Sequence, residues 1–172
     1  MKNLLTLLLI LCLYQTESSA QSNYDNIDLK LLETKLTEKI NEYRKENGIS
    51  PFEYNDTVKI ISDIHCKYLC ENGMVDNPNT LDIIEKFFGN DAYQSYNSNI
   101  SSKWLLSTIS DWDNIEERLA KGYMLSYKRD KKENTILVTK KQFDPNFKEY
   151  IGVTCILYDD YIYVSQFVYI TK

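Results

Sequence analysis

Apolar residues recur at steps of three and four through Leu29, Leu32, Leu36, Ile40 and Tyr43, so they share one stripe of a helix, and Asn47-Gly48 ends it. Ile49-Ser50-Pro51-Phe52 reads as an extended connector. Asn55-Asp56-Thr57 then offers N-cap oxygens to a second helix, whose stripe is Val58, Ile61, Ile64 or His65, Tyr68 and Leu69, closed by Asn72-Gly73. Pro78-Asn79-Thr80 caps a short third helix carrying Leu81, Ile84, Phe87 and Phe88, which stops at Gly89. The Asn-, Ser- and Tyr-rich run 90–103 has no helical period and predicts loop, with a short strand near Asn99 to Leu106. Ser110 and Asp111 cap a fourth helix, in which Trp112, Ile115, Leu119 and Tyr123 repeat at three, four and four.

Lys128 to Asn134 reads as a solvated turn, Thr135 to Thr139 as a short strand, and Asp144-Pro145-Asn146 as a second turn. The period then changes to two. Ile151, Val153, Cys155 and Leu157 alternate with Gly152, Thr154, Ile156 and Tyr158, and after Asp159-Asp160 the alternation resumes from Tyr161 to Ile170. Both faces of this hairpin are apolar, so it is expected to be central and covered on both sides. Helices followed by a terminal antiparallel hairpin predict an α+β fold, a three-layer α-β-α sandwich with an antiparallel sheet that ends in this hairpin, in a single domain over 29–172 with a flexible lead-in at 21–28.

The N-terminus changes the picture of where the chain works. Lys2, the apolar block Leu4 to Leu13 and the small cluster Ser18-Ser19-Ala20 have the layout of a secretory signal over 1–20, cut after Ala20. The block is shorter than the about 20 apolar residues needed to cross a bilayer, and no later segment approaches that length. The mature chain is therefore expected to be exported, extracellular or periplasmic, without a transmembrane segment. A lipid-modified Cys12 is disfavoured because Leu9-Ile10-Leu11 lacks the small residues such sites carry. The formal charge of -5 is spread along the chain, with no stripe of Lys and Arg for a phosphate backbone, so nucleic acid is excluded as a partner. The 14 tyrosines suit a binding surface and select no ligand.

Candidate chemistry concentrates in "SDIHCKYLCENG", Ser62 to Gly73, which holds the single histidine and two of the four cysteines. On a helix His65 stands with Ile61, Tyr68 and Leu69, while Cys66 points about 100° away and pairs with Cys70. That separation predicts a packed histidine, hydrogen-bonded to backbone or water, in preference to a Cys-His nucleophile pair. One histidine cannot supply the usual catalytic zinc set, and a site from Cys66, Cys70 and Cys155 with His65 or a carboxylate needs a demanding convergence. Cys66 and Cys70, four apart on a helix, lie too far apart to join. Either could reach Cys155 in an exported chain, with three reduced, buried thiols as the alternative. Asn55-Asp56-Thr57 and Asn99-Ile100-Ser101 match the glycosylation acceptor pattern, which has meaning only in a eukaryotic host.

Two phrases carry a resemblance. Ile40-Asn41-Glu42-Tyr43-Arg44, followed by Gly48 to Asn55, and the closing Ile151-Gly152-Val153 with Tyr163-Val164-Ser165-Gln166-Phe167-Val168, together resemble the CAP superfamily of secreted proteins (cysteine-rich secretory, antigen 5 and pathogenesis-related; SCP-like). The resemblance runs from about Leu32 to Val168 and implies an α-β-α sandwich. Many members present two His and two Glu in a cleft that holds a divalent cation. Here Asp76-Asn77 stand at the first His, Ser98 at the first Glu, and Tyr123, Ser126 and Arg129 along the later segment.

The chain is thus similar to a degenerate member, with no metal, no cofactor and no catalytic residue implied. Asp76, Asn77, Ser98, Ser126 and Arg129 are the expected ligand-binding positions, and Arg129 could pair with Asp76 or with a ligand anion. The expected function is a non-enzymatic binding or interaction module for a protein or an apolar small molecule. A lipid or sterol carrier is one alternative. A hydrolase using His65 with a remote Ser or Cys is the other.

Overall fold

The computed structural model describes residues 27–73, 79–89, 95–109, 113–129, 136–142 and 145–172, with 96–99 and 127–129 described by backbone alone. The signal-like stretch, Cys12, Asp76, Asn77, the expected cap Ser110-Asp111, Trp112 and residues 130–134 of the turn expected from Lys128 lie outside those residues, whereas Lys128 and Arg129 are helical. The described elements are helix α1 (Leu29–Glu46), strand β1 (Glu53–Tyr54), helices α2 (Asp56–Asn72) and α3 (Thr80–Phe88), strand β2 (Tyr96–Leu105), helix α4 (Ile115–Arg129), and strands β3 (Lys148–Tyr158) and β4 (Tyr161–Thr171).

Local chemistry sets the helix ends where the sequence places them. Asp28 accepts the Leu31 amide at 2.9 Å and Asn55 the Val58 amide at 3.1 Å, each satisfying one of the orphan donors of a first turn. Gly73, at φ 61°, closes α2 in the left-handed conformation that disfavours a side chain. Along α2 His65 is buried and Ile64 is 38% exposed, so the inward position is the histidine.

The sheet order is β1-β3-β4-β2, with β3–β4 and β4–β2 antiparallel and β1 parallel to β3 through Glu53↔Tyr150 and Tyr54↔Ile151. Alternation along β3 divides the core. Ile151, Val153 and Cys155 pack with Leu32, Leu36 and Ile40 of α1 and with Ala120 and Tyr123 of α4. On the opposite face Val58 and Ile61 of α2 pack with Ile84 of α3, and Cys66 and Leu69 pack with Tyr163 and Ile156. This is the three-layer sandwich that the two-sided hairpin requires.

Three expectations are corrected. The polar run at 90–103 hides the start of β2, a ten-residue strand from Tyr96 that pairs along the whole of β4; cross-strand pairing overrides weak local propensity. The sheet is mixed, because two residues of the connector, Glu53 and Tyr54, add a parallel edge. Residues 136–139 form no strand. Their carbonyls are taken by a side chain instead: buried Arg44 donates to Ile136 O at 2.7 Å and Val138 O at 2.6 Å, as well as to Ser50 O at 2.7 Å. Its remaining nitrogen pairs with the buried Glu149 carboxylate, and its guanidinium lies 3.6 Å from the Phe52 ring centroid. Glu149 in turn accepts from Thr139 Oγ1 at 3.1 Å and from the Lys140 amide. Arg44 therefore ties α1, the 136–140 segment and β3 together where a strand was expected.

Two readings were open for the cysteines, a bridge from Cys155 to α2 or three reduced, buried thiols. Cys66, Cys70 and Cys155 are free, buried thiols. Cys155 faces the α1 layer while Cys66 and Cys70 lie in the α2 layer, and the period-two alternation of β3 keeps them on opposite sides of the sheet. Burial pushes both the Cys66 and the Cys155 thiol well above the ordinary range, so neither carries thiolate near neutrality.

Candidate functional site

Because α2 begins at Asp56 and crosses the sheet face, β1 leaves β3 after two residues, and among the described residues no strand lies beside the edge of β3 beyond Ile151. Alternating residues of β3 aim their amides and carbonyls at that edge; the Cys155 N–H does so, and Val153 and Leu157, two residues either side, share its direction. Beside this edge lies a groove of about 650 Å³. Leu29, Glu33 and Thr37 of α1 form one wall, Ile151 and Val153 the floor, and Tyr54 an exposed rim.

A charged cluster crosses the edge at the end of the groove. Glu33 Oε1, from α1, accepts the Cys155 amide at 2.9 Å and lies 3.4 Å from Lys59 Nζ, from α2. Lys59 also pairs with Asp63 one turn along and donates to Thr154 Oγ1 at 3.1 Å, while that hydroxyl donates to Asp63 Oδ1 at 2.7 Å. Two helix layers are thereby linked around a strand edge, and Glu33 stands where a neighbouring strand's carbonyl would accept. Burial raises the Glu33 carboxyl against the downward pull of the Cys155 amide and Lys59. For Lys59 burial opposes the charge, but the Asp63 hydrogen bond and the Glu33 and Asp63 charges outweigh it and raise its pKa.

The sign of the Glu33 shift gives a test. A carboxyl whose pKa is higher folded than unfolded binds more protons when folded, so its contribution is greatest below the unfolded value and is lost as pH rises through the folded one. Glu33→Gln keeps an oxygen for the Cys155 amide and removes the charge. Thermal denaturation from pH about 4 to about 7 is expected to show wild type losing stability relative to Glu33→Gln as pH rises. A difference that is flat or reversed in sign contradicts the assignment.

Of the positions expected from the resemblance, only Ser126 has a described side chain. Ser126 donates its hydroxyl to Tyr123 O at 2.9 Å, within its own helix α4. Ser98 is placed only by its β2 backbone, opposite Val168 of β4, and Arg129 only as the last residue of α4. Asp76 and Asn77 are outside the description. Of the acceptor-pattern asparagines, Asn55 commits its side-chain oxygen to the α2 cap and Asn99 is placed by backbone opposite Phe167. His65 is 3% exposed, does not line the groove, and places Nε2 3.1 Å from Ser101 Oγ on β2. The packed position agrees with the inward face expected for it on α2.

The cluster residues Glu33, Lys59, Asp63 and Thr154 escaped the sequence reading. Lys59 and Asp63 carry the helical i, i+4 signal, but nothing in the sequence joins them to Glu33 or Thr154, which lie far away along the chain. Among the described residues no helix is long and apolar enough to cross a membrane.

No curated protein matches the chain. The model of the "CAP: Cysteine-rich secretory protein family" matches residues 37–170, and with the sandwich and closing hairpin in place the chain belongs to that family.

Proposed function

We propose that this CAP domain is an exported, non-catalytic binding module whose ligand surface is the groove between α1 and the free edge of β3. The carrying observation is the groove itself: an apolar floor of Ile151 and Val153 beside convergent polar groups, Glu33, Lys59 and the exposed Tyr54 ring. Pockets with an apolar lining and a few placed polar groups are the usual form of a ligand site. Export rests on the signal-like pattern at 1–20 and on the secreted character of the family. The hydrolase reading is disfavoured by the burial of His65, which lies outside the groove.

Amide chemical-shift mapping with a library of small fragments tests this. Fragments are expected to move the amides of Glu33, Tyr54 and Val153. A cluster of shifts at the shallow hollow between α1 and α4, where Met124 and the 68% exposed Leu125 lie, would instead favour the carrier of an apolar ligand. Shifts gathered around Ser98 and Ser126 would return the function to the family's cleft.

A further inference from the structure

Resting on that reading of the groove, we propose that its ligand is an extended peptide segment of a partner protein, added as a strand along β3 in line with β1 and carrying a basic side chain that docks on Glu33 and Asp63. Three observations converge on it. The first is geometric. β3 has eleven residues and β1 covers only Tyr150 and Ile151, so the outward backbone groups of Val153, Cys155 and Leu157 lie along an edge without a strand. Free edges of this kind take added strands, with main-chain bonds giving affinity and side-chain pockets giving selectivity.

The second is the nature of the edge's cover. The Cys155 amide is held by a side-chain carboxylate, Glu33 Oε1 at 2.9 Å, in the place of a strand carbonyl. An incoming peptide carbonyl can take that amide and release Glu33, an exchange of one acceptor for another with no donor left bare. Ile151 and Val153 then receive the peptide's inward side chains, and Tyr54 lies where β1 gives way to the new strand.

The third is charge. Two carboxylates share the single Lys59 ammonium, and all the hydrogen bonds and ion pairs they make among the described residues use Glu33 Oε1 and Asp63 Oδ1. The second oxygen of each is available, the cluster carries one net negative charge, and Lys30 and Glu38, which also line the groove, offset one another. A lysine or arginine side chain complements this surplus; an acidic one is repelled. A guanidinium matches a carboxylate in two-pronged geometry, so arginine is the preferred residue.

The probe is a capped peptide of alternating Thr and Val with one central Arg, against the same peptide with Glu in its place, titrated into isotope-labelled protein. The Arg peptide is expected to shift the Val153, Cys155 and Leu157 amides, to bind at least about tenfold more tightly than the Glu peptide, and to lose about tenfold on Glu33→Gln in a protein with otherwise wild-type amide dispersion. Equal binding of the two peptides, unchanged affinity in Glu33→Gln, or shifts confined to other surfaces would overturn the proposal. If neither peptide shifts these amides while small fragments still map to the groove, the strand proposal falls and the broader binding reading stands. If fragments also miss the groove, both fall.

Discussion

Arg44→Met is expected to lower stability by about 3–5 kcal/mol, because it removes one partner of a buried ion pair and leaves the Glu149 carboxylate without its counter-charge. In a domain of this size that corresponds to a fall of about 10 °C or more in melting temperature. The guanidinium is fully buried, and burial holds its pKa down to about 10 against the upward pull of Glu149. The charge is therefore costly to keep in place, and what retains it is the set of acceptors around it. Glu149→Gln should cost less than Arg44→Met, since three carbonyls still ligate the guanidinium and a glutamine oxygen can still accept from Lys140. The double variant Arg44→Met with Glu149→Leu removes both charges but leaves the carbonyls of Ser50, Ile136 and Val138 without their donor, so it should recover only part of the loss. Full recovery in thermal or urea denaturation would show that the charge pair alone, and not the carbonyl set, carries the role.

Gly152→Ala is the second large expectation. A β-carbon there would lie 2.5 Å from Val58 O, 2.7 Å from Val58 C and 2.8 Å from Lys59 Cα. All three are backbone atoms, so no rotamer change relieves the clash, and α2 must move away from the sheet. Overpacking of this kind costs about 1–3 kcal/mol, and Gly152→Val should exceed that range. Because Lys59 is one of the two residues displaced, the cluster at the groove is expected to loosen too. Gly152→Ala should therefore shift the Cys155 amide, whose partner Glu33 leans on Lys59, while the Arg44 surroundings stay as they are. Unchanged stability, with the Cys155 amide unmoved, would show that the two backbones do not approach as closely as described.

Much of the fold was legible because its signals are local. The steps of three and four in α1 and α2, the Asn55 cap, and the Asn-Gly stops each depend on residues within a turn or two of one another. The closing hairpin was equally readable, since β3 and β4 alternate apolar residues on both faces. Tyr96 to Ser98 were not readable as strand, because their side chains say nothing about pairing with β4; that pairing is a property of β4's free side. The 136–139 segment failed for the opposite reason: its apolar residues suggested a strand, yet its carbonyls found Arg44, whose own position lies some ninety residues earlier.

The candidate site shows the same division. The resemblance directed attention to Asp76, Asn77, Ser98, Ser126 and Arg129, and Ser126 proves to bond within its own helix. The groove was invisible because it is made from what β1 fails to cover, and a sequence does not record where a strand will be absent. Glu33 carries no local signal that sets it apart from the other acidic residues of α1. It meets Lys59 only because α1 and α2 lie on opposite faces of one strand edge.

By itself the sequence determined the periodic elements, the Asn55 cap, the two-sided hairpin and hence the sandwich, since each follows from neighbours along the chain and from the need to bury apolar faces. Only the tertiary structure decided that the sheet is mixed, that Cys155 is turned away from Cys66 and Cys70, that Arg44 replaces a strand, and that Glu33, Lys59, Asp63 and Thr154 meet at the open edge of β3. Those are contacts between distant segments, set by which backbone groups remain without a partner once the layers have packed.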